Sequence, residues 1–188
     1  MSYPIKKEKQ KYNYGDYLTW QDDERWELID GVAYNMTPAP SRFHQKISGE
    51  LFYLIRKYLK DKPCEVYAAP FDVRLPKKNE KEEEIDTVVQ PDIVVICDKT
   101  KLDDKGCIGA PDLVIEIISP YTGPKDMKEK FFLYEKTGVK EYWIVHPTDK
   151  TIMVFKLGKN KEYGKPAMYS KGDKIEVGIL PGLKVEVM

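Results

Sequence analysis

The stretch APDLVIEIISP, Ala110 to Pro120, sets Glu116 among Leu113, Val114, Ile115, Ile117 and Ile118. A run this apolar, opened by Pro-Asp and closed by Ser-Pro, reads as a strand covered on both faces, and so as the centre of a sheet. An ionised carboxylate taken from water into such a setting costs several kcal/mol unless something compensates it. Glu116 therefore asks for a partner.

Residues two apart on a strand share a face, so Asp112, Val114, Glu116 and Ile118 point one way and Leu113, Ile115 and Ile117 the other. In VVQPDIVVICD, residues 88–98, the matching set is Gln90, Asp92, Val94 and Ile96. If the two strands are neighbours, as consecutive strands usually are, Asp92 and Glu116 face a common space. Two converging carboxylates repel, so either one keeps its proton or a divalent cation sits between them. The plainer alternatives for Glu116 are a wet sheet edge or a structural pairing with Arg or Lys.

The flanking sequence supplies the rest of an α/β domain. The N-terminal arm is expected to settle at Tyr14 to Trp20 with a short helix to follow, and RWELIDGVAYNM forms a hairpin about Asp30-Gly31. Ser41 caps a helix in which Ile47, Leu51, Leu54, Ile55 and Tyr58 recur at helical spacing to about residue 60. CEVYAAPFDVRLP, residues 64–76, reads as one strand with a bulge at Pro70, and KTKLDDKGCIG, 99–109, as a loop. DMKEKFFLYEKTG is a helix ended by Gly138, EYWIVHP and TIMVFKL are two more strands, and the tail from Gly172 is a β-ribbon. The order is hairpin, helix, three strands, helix, strand pair, on one mixed central sheet. Residues 1–188 are expected to form a single domain, with 1–13 a loosely held polar arm.

Composition excludes more than it selects. The 31 basic and 31 acidic side chains cancel, so no net positive field marks a nucleic-acid binder. Three cysteines without CxxC spacing and two histidines do not make a zinc cage, and Cys64, Cys97 and Cys107 read as reduced thiols. No apolar stretch is long enough to cross a bilayer, so a cytoplasmic protein with no membrane partner is expected.

The ordered set WELIDG, TPAPSRFHQKISGEL, PFDVRL, QPDIVVICD, GAPDLVIEIISP, DMKEKFFLYEKTGVKEYWIV and LPGL resembles the bacterial Uma-two family of restriction-endonuclease-like proteins. That family belongs to the PD-(D/E)XK nuclease superfamily, so the resemblance implies an αβββαβ core. It places the first motif acid on Asp92 and the second on Glu116, and calls for a lysine where this chain has Ile118. The resemblance implies that the following helix supplies that lysine. Asp126, Lys130 and Tyr134, at i, i+4 and i+8, share one helical face, which makes Lys130 the candidate and leaves Lys125 and Lys128 out of phase. A surface ion pair with Asp126 is the alternative role for Lys130. Glu27 matches an acid and His44 a histidine of the family. Gln90 shares the Asp92 face, Asp72 adds a polar wall, and His146 is assigned to the surface.

The implied function is a Mg²⁺-dependent endodeoxyribonuclease, with Mn²⁺ as a substitute ion. Asp92, Glu116 and the Ile117 carbonyl would ligate the metal and Lys130 would steady the nucleophile or the transition state. Duplex DNA cut by a homodimer is the implied partner arrangement. Two rivals remain open: a non-catalytic nucleic-acid-binding or protein-interaction relative of the same fold, favoured by Ile118 and the charge balance, and a hydrolase of RNA or another phosphoester.

Overall fold

The computed structural model describes residues 11–20, 24–36, 39–118 and 126–188, with the backbone only of Asp126 and Met127. In chain order the first strands are β1 (Trp26–Ile29), β2 (Val32–Asn35), β3 (Glu65–Ala68), β4 (Val73–Arg74), β5 (Val88–Val89), β6 (Ile93–Ile96), β7 (Leu102–Asp103) and β8 (Gly106–Ile108). They are followed by β9 (Leu113–Ile117), β10 (Glu141–His146), β11 (Thr151–Lys156), β12 (Ala167–Ser170), β13 (Lys174–Glu176) and β14 (Lys184–Glu186). Among the described residues three α-helices, α1 (Tyr14–Tyr17), α2 (Arg42–Tyr58) and α3 (Phe131–Thr137), accompany them.

The central sheet has the order β12-β11-β10-β9-β6-β3, with β9 in its interior as its apolar run requires. Within it β9 and β10 run parallel, and β3, β6 and β9 pair antiparallel. The αβββαβ order is thus intact as α2, β3, β6, β9, α3 and β10.

Local chemistry sets the boundaries. Asp30 (φ 49°) and Gly31 (φ 80°) both take the left-handed conformation that a two-residue hairpin turn demands. The Ser41 side chain accepts the His44 N–H at 3.1 Å and starts α2, whose buried stripe of Ile47, Leu51 and Ile55 faces the sheet. Gly138 (φ 91°) ends α3, its N–H donating to the Tyr134 carbonyl at 3.1 Å. A π-helical turn, Asp126–Lys130, leads into α3.

One expectation is overturned: there are two six-stranded sheets, not one. The second has the order β2-β1-β5-β4-β8-β7, and the N-terminal hairpin belongs to it. The segment 64–76 is not one bulged strand. It breaks at Ala69–Asp72 into β3 of the central sheet and β4 of the second, and 88–98 breaks likewise at Gln90–Asp92 into β5 and β6. Pro70 and Pro91 stand in the two breaks, and a residue without an N–H cannot carry a ladder onward. The expected loop 99–109 instead forms the β7–β8 hairpin, held by parallel pairing of β8 with β4.

The layers follow from these pairings. One face of the central sheet packs Ile93, Val95, Leu113, Ile115, Trp143 and Val145 against α2 and the β13–β14 ribbon. The other face sets Val94, Val114, Tyr142 and Ile144 against α3 and against Val73, Val89 and Ile29 of the second sheet. Tyr14 of α1 closes the far side of the second sheet with Trp26, Leu28, Ile85 and Val88. Each such side chain contributes about 1.5–3 kcal/mol by leaving water.

Two further expectations change. Cys64 and Cys97 are not free thiols: the Glu65↔Ile96 register, continued one step, sets them opposite each other, and a disulfide joins them. Cys107 is the free cysteine among the described residues, and burial pushes its thiol up to about 11. Residues 1–10 of the expected arm lie outside the described residues. Tyr12 and Asn13 are held, by the Tyr12 N–H on the Gly31 carbonyl at 2.8 Å and by the Asn13 cap of α1. No helix of the described residues is long and apolar enough to cross a membrane.

Candidate active site at the seam between the two sheets

Glu116 finds its partner in Lys130. Glu116 shares the β9 face of Val114 and Ile118, which lies under α3, and the Lys130 ammonium reaches it with Nζ 2.9 Å from Oε1. The same Nζ lies 2.9 Å from Oε1 of Glu27, on β1 of the other sheet. Tyr134, one turn further along the helix, donates its hydroxyl to Glu116 Oε1 at 2.8 Å. Lys130 and Tyr134 thus share a helical face, and Lys128 is exposed. The Asp126 side chain lies outside the described residues, so its expected place beside them is not part of this geometry. Ile118, at the usual lysine position, is packed in the apolar layer.

Lys130, Glu27 and Glu116 are all buried, which overturns a surface ion pair for Lys130. Glu27 is further held by the backbone N–H of Gln90 at 2.9 Å. Burial, reinforced by the Glu116 charge, raises the Tyr134 phenol well above its ordinary value, so it serves as a fixed donor.

Asp92 stands beside this cluster. The register Ile93↔Ile115 ends one residue short of Asp92, which lies in the break before β6, next along from the pairing that Glu116 follows on β9. Their oxygens are drawn apart. Asp92 Oδ2 accepts the Ile117 N–H at 2.7 Å and lies 3.2 Å from His44 Nε2, on the α2 side, while Glu116 is held from the α3 side. Among the described residues nothing donates to Asp92 Oδ1, and the side chain is 20% exposed. The Ile118 N–H points to β10, donating to the Val145 carbonyl, so Ile117 and its carbonyl face the β6 side, where Asp92 stands.

A second network adjoins the first. The buried Gln90 amide donates from Nε2 to Asp72 Oδ1 at 2.8 Å and to the Tyr17 hydroxyl at 3.1 Å, and its Oε1 accepts Nε and Nη2 of Arg25 at 3.1 and 2.8 Å. Tyr17 also donates to Asp72. Desolvation raises the Asp72 carboxyl above its usual range, against the hydrogen bonds from Gln90 and Tyr17. Gln90 and Asp72 were legible as candidates. Tyr17 and Arg25 were not, because nothing in their spacing marks them, and helical phase put Tyr134 beside Lys130 without showing that its hydroxyl reaches Glu116. His146 is half-buried at the end of β10.

Among the described residues no group of three or more His, Cys, Asp and Glu is placed to hold a metal ion. Asp92 and Glu116, neighbouring hard-oxygen donors, nonetheless suit Mg²⁺, which keeps several waters and takes only one or two protein carboxylates. The open Oδ1 of Asp92 and the Ile117 carbonyl on its side of β9 fit that donor set.

Core and site together define the class: a restriction-endonuclease-like α/β domain with its acids on neighbouring central strands. The chain belongs to the Uma2 family, described as "Putative restriction endonuclease", whose family model matches residues 14–188. It is 28% identical over 143 residues to the uncharacterized protein slr1290 of Synechocystis sp. (strain ATCC 27184 / PCC 6803 / Kazusa), covering 74% of this chain and 71% of that one. It also superposes, with a TM-score of 0.73, on a crystal structure described as "a putative nuclease belonging to DUF820" from Anabaena variabilis ATCC 29413. At 18% identity, over 93% of this chain and 94% of that one, the likeness is one of fold.

Proposed function

We propose that this chain is a metal-dependent endodeoxyribonuclease that hydrolyses phosphodiester bonds of duplex DNA, acting as a symmetric pair of copies. The carrying observation is the Lys130 ammonium, brought by the helix to Glu116 in the place left by Ile118. Asp92, Glu116 and the Ile117 carbonyl would hold Mg²⁺ or Mn²⁺. Bound there, the ion supplies Lewis acidity toward phosphate and water.

The chain's own groups do the rest. Glu27 and Tyr134 fix the ammonium and the Glu116 carboxylate, so neither has to reorganise as charge builds on the phosphate oxygens. His44 and the Ile117 N–H hold Asp92 Oδ2 and turn Oδ1 outward. Lys130 places a fixed positive charge behind the acids.

The test is cleavage of duplex DNA with Mg²⁺ or Mn²⁺ over a range of sequences, with 5′-phosphate ends as the expected product. Asp92→Ala should abolish it. A wild type that cleaves nothing, yet binds DNA as Asp92→Ala does, would identify a non-catalytic nucleic-acid-binding relative instead.

A further inference from the structure

We propose that Arg25 is a phosphate-binding residue, its guanidinium aimed by Gln90 so that a phosphodiester oxygen of the DNA backbone docks at the mouth of the seam. The inference rests on the nuclease reading and adds to it the group that grips the substrate.

The receptor is built from behind. Gln90 is 8% exposed, and its amide can face only one way: Nε2 has two acceptors, Asp72 Oδ1 and the Tyr17 hydroxyl, so Oε1 is turned to Arg25. Arg25 meets that single oxygen with the Nε–Nη2 edge of its fork, leaving Nη1 uncommitted. An arginine held in this way has little rotamer entropy left to lose on binding.

The partner of Arg25 is also neutral. Arg74, the buried arginine of β4, spends its charge on two carboxylates, whereas among the described residues no carboxylate lies within ion-pair distance of Arg25. An amide oxygen orients a guanidinium without cancelling its charge, which suits an anion receptor.

The position fits a backbone phosphate. The Arg25 carbonyl accepts the Met36 N–H at 2.8 Å, continuing the β1–β2 ladder, so Arg25 shares the face of Glu27 about 7 Å further out along the strand. Lys130 is buried behind its acids, while Arg25 is partly exposed. The carboxylates of Glu27, Asp72, Asp92 and Glu116 all repel a polyanion, so a fixed cation at the entrance is what lets a phosphate approach them.

Fluorescence anisotropy of a labelled DNA duplex, with Ca²⁺ in place of Mg²⁺ and over a series of salt concentrations, tests the assignment. Arg25→Gln should weaken binding about tenfold or more and lower the slope of log K against log salt by about one unit, with Tm nearly unchanged. Arg25→Lys should restore the slope but not the full affinity, because it keeps the charge and loses the fork. Wild-type affinity and slope in Arg25→Gln overturn the assignment. Should that variant fail to fold, wild-type affinity in Arg25→Lys overturns it and a several-fold loss supports it. A wild type that cleaves DNA but ignores both substitutions removes Arg25 and leaves the nuclease standing; one that neither binds nor cleaves removes both.

Discussion

Lys130 and Arg74 are both buried cations held between two carboxylates, and the surroundings of those carboxylates set them apart. Lys130, 5% exposed, lies between Glu27 and Glu116, 7% and 6% exposed. Arg74, fully buried on β4, lies between Glu82 and Asp103, 30% and 39% exposed, and stacks over the Tyr14 ring. Water can take over the partners of Arg74 if the cation is lost. It cannot reach those of Lys130. Burial of the anions, more than burial of the cation, therefore decides what a broken pair costs.

The sharpest way to break this contrast is Lys130→Met. It leaves two carboxylates together in a dry seam and should cost about 3–5 kcal/mol, read as a lower urea midpoint, while cleavage falls by about two or more orders of magnitude. A variant that melts with the wild type would mean that the seam is wet and the contrast false.

Glu116→Gln should have a smaller effect on the metal-free protein, because Lys130 keeps Glu27 as its counter-charge. What it should remove is stabilisation by Mg²⁺, about 2.7 kcal/mol at a hundredfold excess over Kd for an intact site. Persistence of the full Mg²⁺ shift in this variant would move the metal elsewhere.

Tyr134→Phe takes one donor from a buried carboxylate and should cost about 1–3 kcal/mol by the same denaturation measurement. No loss would show that another donor takes the place of the phenol.

Arg74→Met should change stability least at neutral pH, within about 1 kcal/mol, and show itself in acid. Lys105, then Arg74, hold the Glu82 carboxyl below its ordinary range. Desolvation pushes Asp103 up, but the Arg74 hydrogen bond and the Lys105 N–H outweigh it and leave it low. Groups lowered in this way contribute stability above their unfolded values and lose it as pH falls through the folded ones, below about pH 4. Melting temperature against pH should thus fall less steeply in the variant below that point. Parallel curves would remove Arg74 from the acid transition.

Alternation reaches part of this site and stops at the rest. Asp92 and Glu116 could be set on neighbouring strands by the apolar runs that follow and surround them, and Lys130 with Tyr134 on one helical face because four residues make about one turn of helix. Alternation does not say which sheet a strand joins. CEVYAAPFDVRLP and VVQPDIVVICD keep β character across their prolines, so the passage from one sheet to the other is invisible in them. Alternation alone could not place Glu27, because the side of a hairpin opposite Trp26 and Leu28 can face water or a second sheet, and here the central sheet fills it. The Cys64–Cys97 disulfide joins residues 33 apart that only the β3–β6 register brings together.

The two crossing segments, Ala69–Asp72 and Gln90–Asp92, also bear on how the molecule comes apart. The chain crosses repeatedly from one sheet to the other, most tightly at these two breaks, so neither sheet can open as an independent cooperative unit: freeing β5 tugs β6, and freeing β4 tugs β3. Amide protons of Val89 and Val94, on different sheets, should then exchange with one common opening free energy close to that of global unfolding. The loops that tie the sheets together carry Asp72, Gln90 and Asp92 themselves, so the site should be lost and regained in that same cooperative step.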